Sequence, residues 1–265
     1  MSTSKNDYLS DLVQSLSRLD HIRPEDFPNI DLYMDQVTTF MSTNLSNSKR
    51  HDDDKILTKT MINNYAKDNL LPAPVKKKYS KDHMIVLLYI YYFKNILSIS
   101  DIQNILNPLT ERFFGTDAKS PEMTMEEIYR ESYRVVKEEF DAVSEDVAKK
   151  TEACQESFSG VKNQSDRDFL QLFSLICMLG YDVFLKKQAI GNLIDKIKAD
   201  EETLKQEEVA KKEAAKKEAA AKKEAAKKES AKKETSKKDS AKKETSKKDS
   251  AKAAKKETTK ESDSE

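Results

Sequence analysis

The stretch from Leu57 to Leu106 constrains this chain most, because it sets two helices on either side of a turn that neither can cross. Thr58 is placed to cap the first, its hydroxyl accepting an orphan backbone N–H. Met61, Ile62, Tyr65 and Ala66 then recur at helical spacing and form one apolar face, with Thr60, Asn63, Asn64 and Lys67 largely off it. Asn69 falls where a left-handed residue must close the helix, and Asn tolerates that conformation. Pro72 and Pro74 forbid continuation. Val75-Lys76-Lys77-Lys78-Tyr79 alternates, which suggests a small hairpin or wing. Ser80 caps a second helix from Lys81 to about Asn95, with Asp82 on the favourable side of its dipole. Met84, Ile85, Val86, Leu87, Leu88 and Ile90 make that helix apolar almost all round, so it should be buried on most sides. Ser98-Ile99-Ser100-Asp101 has the form of a capping box that opens a third, short helix through Leu106.

Upstream, Tyr8, Leu9, Leu12, Val13, Leu16 and Leu19 form an amphipathic N-terminal helix within residues 1–23, broken at Arg23-Pro24. Ile30, Met34, Val37, Phe40, Met41 and Leu45 give another helical stripe, expected to pack beneath the helix from Lys59. The connection from Ser46 to Ile56 is longer than an ordinary helix-turn-helix turn. Its His51-Asp52-Asp53-Asp54 run lacks the alternation and glycine of a calcium loop and reads as a solvated lead-in to a helix.

This order of parts resembles the DNA-binding head of the mercury-resistance-regulator (MerR) family. The resembling residues are Tyr65 to Pro72, Tyr79-Ser80 and Leu97 to Ile102. The run from Asp31-Leu32-Tyr33-Met34 to Ile102 resembles more closely the domain of unknown function 1836 family of bacterial proteins, a likeness that covers roughly Pro24 to Leu109. That family carries no established activity. The resemblance implies a MerR-like winged helix-turn-helix head over residues 24–112. The Arg and first Tyr usual in the MerR reading helix correspond here to Asn63 and Asn64, and the usual Gly-Tyr-Arg wing to the shorter Lys76-Lys77-Lys78-Tyr79.

Beyond this head, Phe113 to Ser120 reads as an inter-domain loop. Ser120-Pro121 reads as a helix start, with a capping hydroxyl followed by proline at the first helical position. Met125, Tyr129, Tyr133, Val136, Phe140, Val143 and Val147 recur as a coiled-coil-like seam, in a helix expected to stop at Gly160. Ser165-Asp166-Arg167-Asp168 should open a further helix by the same box logic. Its first half, Phe169 to Leu179, is apolar on nearly every side, so it belongs at the centre of a bundle or at a subunit contact. Residues 120–199 thus form a helical region that completes the core or dimerises, and residues 121–198 are a candidate homodimer surface. Residues 200–265 form a Lys/Glu/Ala/Ser-rich low-complexity tail, a degenerate five-residue repeat from about Val209, without an apolar stripe. Its Glu-before-Lys pairs at i,i+4 favour a partly formed helix, fraying after about Glu229.

The expected fold class is therefore all-α. Residues 201–265 hold 21 Lys against 16 acidic side chains, so the formal charge of zero leaves 26 basic and 31 acidic residues before them. Within that acidic body, Leu57 to Lys94 carries seven Lys against two Asp, a local basic face. Cys154 and Cys177 form neither a metal nor a disulfide framework and read as buried or half-buried thiols in a reducing compartment. The N-terminus lacks a signal-peptide pattern, and Phe169 to Leu185 is too short to span a membrane comfortably. The chain is expected to be cytoplasmic, with no membrane partner.

No catalytic constellation, phosphate loop or nucleophile elbow is present, so a non-enzymatic protein without cofactor or metal is expected. The function read from the chain is a DNA-binding transcriptional regulator with double-stranded DNA as partner. Thr58, Lys59, Asn63, Asn64, Lys67, Lys76, Lys77, Lys78 and Tyr79 would form its DNA face. Asn63 and Asn64 could read base edges, and the lysines would hold phosphates. The alternative is a non-enzymatic interaction module that kept the fold and docks an acidic partner.

Overall fold

The structure, a computed structural model, describes residues 22–115 and 122–257; the side chains of Phe140, of residues 220 and 221 and of those from 223 onward lie outside it. The chain divides into two units, Met1–Glu201 and Glu202–Glu265. The described residues are mostly helical, with one two-stranded sheet, as the all-α reading requires. The expected N-terminal helix lies outside the described residues, as do Ser120 and Pro121; residues 122–124 are not helical, and the helix expected to start at Pro121 begins only at Met125.

In the first unit a 3-10 turn at Pro24–Asp26 leads to strand β1 (Leu32–Tyr33) and helix α1 (Met34–Asn44). Ile30, placed on the helical stripe by the sequence, instead lies before the strand and is 69% exposed. The helix starts four residues later, where the Gln36 side chain accepts the Tyr33 N–H at 2.9 Å. Val37, Met41 and Leu45 are its buried face. Helix α2 (Lys59–Lys67) begins as expected, with the Thr58 hydroxyl accepting the Met61 N–H at 3.2 Å. It ends as expected too. Asn69 takes the left-handed conformation (φ 54°), and the N–H groups of Leu70 and Leu71 return to the Tyr65 carbonyl at 2.8 and 3.1 Å.

Strand β2 (Lys78–Tyr79) pairs antiparallel with β1, Leu32 opposite Tyr79 and Tyr33 opposite Lys78. Its partner thus comes from more than forty residues upstream, a pairing that two-residue strands do not advertise in sequence. Helix α3 (Lys81–Phe93) is the centre of the unit: Met84, Ile85, Val86, Leu87, Leu88 and Ile90 are fully buried. Helix α4 (Ile99–Phe113) opens on the Ser98–Asp101 capping box but runs past the expected end at Leu106, through Pro108. Ile102, Leu106, Leu109 and Phe113 continue its apolar stripe against the core, and that packing carries the helix across the N–H the proline lacks.

Helix α5 (Met125–Glu156) starts on Thr124, whose hydroxyl accepts the Glu127 N–H at 3.2 Å. Its first two turns belong to the same core: Met125 and Tyr129 are buried in it, and the Tyr129 hydroxyl donates to the Ile22 carbonyl. Lys81 of α3 pairs with Glu126 at 2.9 Å, which holds the Glu126 carboxyl below the usual carboxylate range. The expected seam is not covered along its length. Val147 is buried, but Val136 and Val143 are exposed, because Met125 and Tyr129 already face the head and no third helix is described against the middle turns. The helix stops at Ser157, and the left-handed residue after it is Phe158 (φ 58°), not Gly160.

Helix α6 (Gln164–Glu257) is capped by Asn163, whose side-chain oxygen accepts the Asp166 N–H at 3.2 Å, rather than by Ser165. Within the first unit Leu172, Leu175 and Leu179 pack on Cys154, and the Gln171 amide donates to the carbonyls of Gln155 and Ser157, satisfying the open end of α5. Asp182 pairs with Lys150, and Glu201 with Arg112. By length and composition alone, the helix containing Phe169 to Leu185 is long and apolar enough to cross a membrane. In the second unit the helix runs to Glu257 rather than fraying after Glu229, since the five-residue period keeps an acid four residues before a Lys into the Ser/Thr half. Glu218 and Lys222 make one such pair at 2.6 Å.

Candidate functional site

The lysine turn is built by backbone geometry that L-residues avoid. Lys76 and Lys77 both have positive φ, 51° and 64°, between Val75 and Lys78, which bridge through the Lys78 N–H and Val75 carbonyl at 3.0 Å. Two successive left-handed residues are the signature of a tight two-residue hairpin turn, normally filled by Asn-Gly. Here two lysines take that position and point their cations outward.

The ring of Tyr33, from β1, lies under Lys78, whose ammonium sits 5.4 Å from its centroid. A cation over a ring face is attracted by the ring's quadrupole. Val75 and Ile30 are exposed in the segments that flank this pair, so the turn offers apolar as well as cationic surface.

Helix α2 is held from both ends. Its buried face, Ile62 and Tyr65, joins the core, and the Gln103 amide of α4 donates to the Asp68 carbonyl at 2.7 Å past its C-terminus. This leaves Thr60, Asn63, Asn64 and Lys67 exposed on one rigid face. The nine residues expected to form one face divide accordingly. Asn63, Asn64, Lys67, Lys76 and Lys77 are exposed, and none of these lysines makes an ion pair among the described residues. Thr58 is half-buried and occupied as the cap. Lys59 is paired with Asp35, and Lys78 is half-buried over Tyr33. Tyr79 is 3% exposed and packs edge-on against His83 at 5.5 Å, so its ring belongs to the core.

His83 is the residue that sequence reasoning passed over. Its Nδ1 accepts the Ser80 N–H at 3.0 Å and meets the Ser80 hydroxyl at 2.8 Å, completing the cap of α3. The ring lies by the backbone of Ala73 and Pro72, and its buried Nε2 has no hydrogen bond among the described residues. Phe114 closes the other side edge-on, 4.7 Å away. Burial pushes the imidazole below its ordinary pKa. The one available signal was its place three residues after a capping Ser. Lys94 is likewise withdrawn from the surface: its ammonium donates to the Ile56 carbonyl at 2.8 Å, lies 5.0 Å over Tyr91, and is lowered in pKa by burial.

Elsewhere, Asp54 of the acidic loop accepts the N–H groups of Arg50 and His51 at 3.1 and 3.0 Å, which lowers its pKa and gives it a turn-closing role. Cys154 is buried, whereas Cys177, expected to be at least half-buried, is exposed. Among the described residues no group of three or more His, Cys, Asp or Glu is placed to hold a metal.

The first unit is thus a helical domain around a buried central helix, with an exposed Asn/Lys helix face and a strained lysine turn. Residues 22–132 match the family model described as domain of unknown function (DUF1836). The match ends between Tyr129, buried in the core of the head, and Tyr133, which packs half-buried against it. No curated protein and no solved structure matches the chain.

Proposed function

We propose that the head is a double-stranded-DNA-binding unit of the MerR-like winged helix-turn-helix kind, serving a non-enzymatic cytoplasmic transcriptional regulator. The observation that carries this reading is the strained lysine turn. Two non-glycine residues in left-handed backbone cost on the order of 1–2 kcal/mol each, and strain of this kind clusters at functional sites. The order strand, helix, helix, strand, helix, helix supports it, as does the rigid α2 face. Asn63 and Asn64 would read bases through bidentate amide bonds to adenine. Lys67, Lys76 and Lys77 would hold phosphates, with Lys78 steadied by Tyr33.

Selection of bound sites from random DNA, followed by salt titration, tests it. Neutralising Lys76, Lys77 and Lys78 should weaken all sequences alike and flatten the slope of log K on log salt by roughly 0.9 for each phosphate left without its lysine. Asn63→Ala or Asn64→Ala should leave the slope and cost about 1–3 kcal/mol of discrimination at one base pair. No enriched sequence, or indistinguishable mutants, would sink the reading. The exposed apolar Ile30 and Val75 beside the lysines then favour docking of an acidic protein partner instead.

A further inference from the structure

Helix α6 carries an apolar stripe that no described residue of the chain covers. Phe169, Phe173, Ile176, Gly180 and Val183 recur at the four-three steps of a coiled-coil seam. Ile176 is 67% exposed, and Phe169, Phe173 and Val183 are all more than half exposed. The rings of Phe169 and Phe173 stack with centroids 6.3 Å apart. The stripe lies roughly a quarter-turn round the helix from Leu172, Leu175 and Leu179, which are spent on Cys154. A Cβ added at Gly180 would meet nothing within 4 Å, so a partner can approach closely there.

We propose that this stripe is the contact face of a symmetric homodimer in which two copies of α6 pair antiparallel, centred at Ile176 and Cys177. Charge decides the direction. Asp166 and Asp168 flank one end of the stripe and Lys186 and Lys187 the other. Antiparallel pairing sets the acidic end of each copy against the basic end of its partner; parallel pairing would set like charges together. The same centre places Phe173 opposite Gly180 of the second copy, a large ring over an open backbone, and every such pairing occurs twice. With its flank Phe184, the stripe exposes apolar surface on the order of 500 Å² on each copy, about 1,000 Å² for the pair, the least that a specific interface buries.

A bilayer suits this helix less well. Gln171 and Asp182 on its other side are engaged with α5, and stripping them into hydrocarbon would cost several kcal/mol for each unsatisfied group. Nor does the neighbouring end of α5, with Glu145, Asp146, Glu152 and Glu156, offer the cationic face of a helix that lies on anionic lipid. The proposal is independent of the DNA reading.

Light scattering of the full chain in detergent-free buffer at micromolar concentration tests it. The expected mass is twice the 30.3 kDa of the chain. Ile176→Asp, at an exposed position, should return it to the single mass with the helical circular-dichroism signal intact. A short bis-maleimide, which adds one Cys177 thiol from each copy, should give a covalent dimer that is absent in both Cys177→Ser and Ile176→Asp. A single mass for the unaltered chain, or a dimer that survives Ile176→Asp, overturns the proposal. So does a chain monomeric in buffer that co-sediments with phosphatidylglycerol vesicles, which would identify the occupant as lipid.

Discussion

Helix α3 and the first turns of α6 are written in nearly the same alphabet and meet opposite fates. Met84 to Ile90 is an apolar run whose aliphatic members are fully buried, with Tyr89 half-buried, while the run from Phe169 to Leu185 leaves its aromatic side chains half to two-thirds exposed. Hydrophobicity alone does not bury a helix; the number of faces that neighbours can cover does. Around α3 stand β2, α4 and the start of α5, together with Tyr79 and Phe114. Beside α6, within the first unit, stands chiefly α5, whose outward side is spent on Glu and Lys. The two runs differ in company rather than in character.

The largest expected effect breaks the comparison at its centre. Leu87→Ala should cost about 2–5 kcal/mol of unfolding free energy, by reduced transfer energy plus the cavity left in a helix with no exposed side. Ile176→Ala should stay within about 0.5 kcal/mol for an isolated chain. Urea denaturation at two protein concentrations separates the cases. If Ile176→Ala destabilises only at the higher concentration, a second copy covers it. An equal, concentration-independent cost for both substitutions would mean that the stripe is buried within the chain.

A second contrast is in acid. Burial holds the His83 imidazole below its ordinary 6.5, although the Ala73 backbone, then Asp82 and Asp31, oppose the shift. The unfolded chain therefore takes up the proton at higher pH than the folded head does. The stability His83 contributes is fully present above pH 6.5 and is lost as pH falls through the window beneath it. His83→Gln keeps an acceptor at the third helical position, where Gln serves capping boxes, but cannot titrate. Removing the ring from between Tyr79 and Phe114 should cost about 0.5–1.5 kcal/mol near neutral pH. The variant's urea midpoint should then fall less than that of the unaltered chain between about pH 7.5 and about 5.5. Identical pH dependence of the two would remove His83 from the account.

The same contrast separates what was legible in the sequence from what was not. Local chemistry was readable: the Thr58 cap, the left-handed Asn69, the burial of α3 and the box at Ser98 all follow from residues within one turn of each other. Pairings distant in sequence were not. Nothing near Leu32 announces a strand that pairs with Lys78, because two residues carry no alternation. The mixed fate of the α5 seam depended on where the head's core ends, which Met125 and Tyr129 decide by packing backwards. At the candidate site, the exposed members Asn63, Asn64, Lys67, Lys76 and Lys77 were legible from helix phase and turn position. The pairing of the still-exposed Lys59 and the partial or full burial of Lys78 and Tyr79 were not, since Asp35, Tyr33 and His83 reach them through the fold.

A smaller effect sharpens the contrast between strain and packing. Lys77→Gly removes a Cβ from left-handed backbone and should stabilise the head by about 1 kcal/mol, read as a rise in urea midpoint. Lys77→Ala removes the same charge and keeps the Cβ, so it should not stabilise. If the two behave alike, charge repulsion among the three lysines, rather than backbone strain, is the dominant cost at this turn.

The smallest effect is expected where no apolar face exists. The tail from Glu202 onward, a repeat from about Val209, offers i,i+4 pairs such as Glu218–Lys222 and no apolar stripe to bury. Each pair steadies a helix by roughly 0.2–0.5 kcal/mol without involving a core. Truncation after Glu201 should therefore leave the thermal midpoint of the remaining chain essentially unchanged. Truncation one residue earlier also removes the partner of Arg112, a guanidinium whose side chain is 41% exposed. Partly exposed pairs are worth about 0–1 kcal/mol, so that step should cost at most a few degrees, and less at high salt. Calorimetry of the two truncations side by side isolates the ion pair from the repeat. A drop of several degrees already present after Glu201 would mean that the repeat stabilises the first unit by an interaction its composition does not suggest.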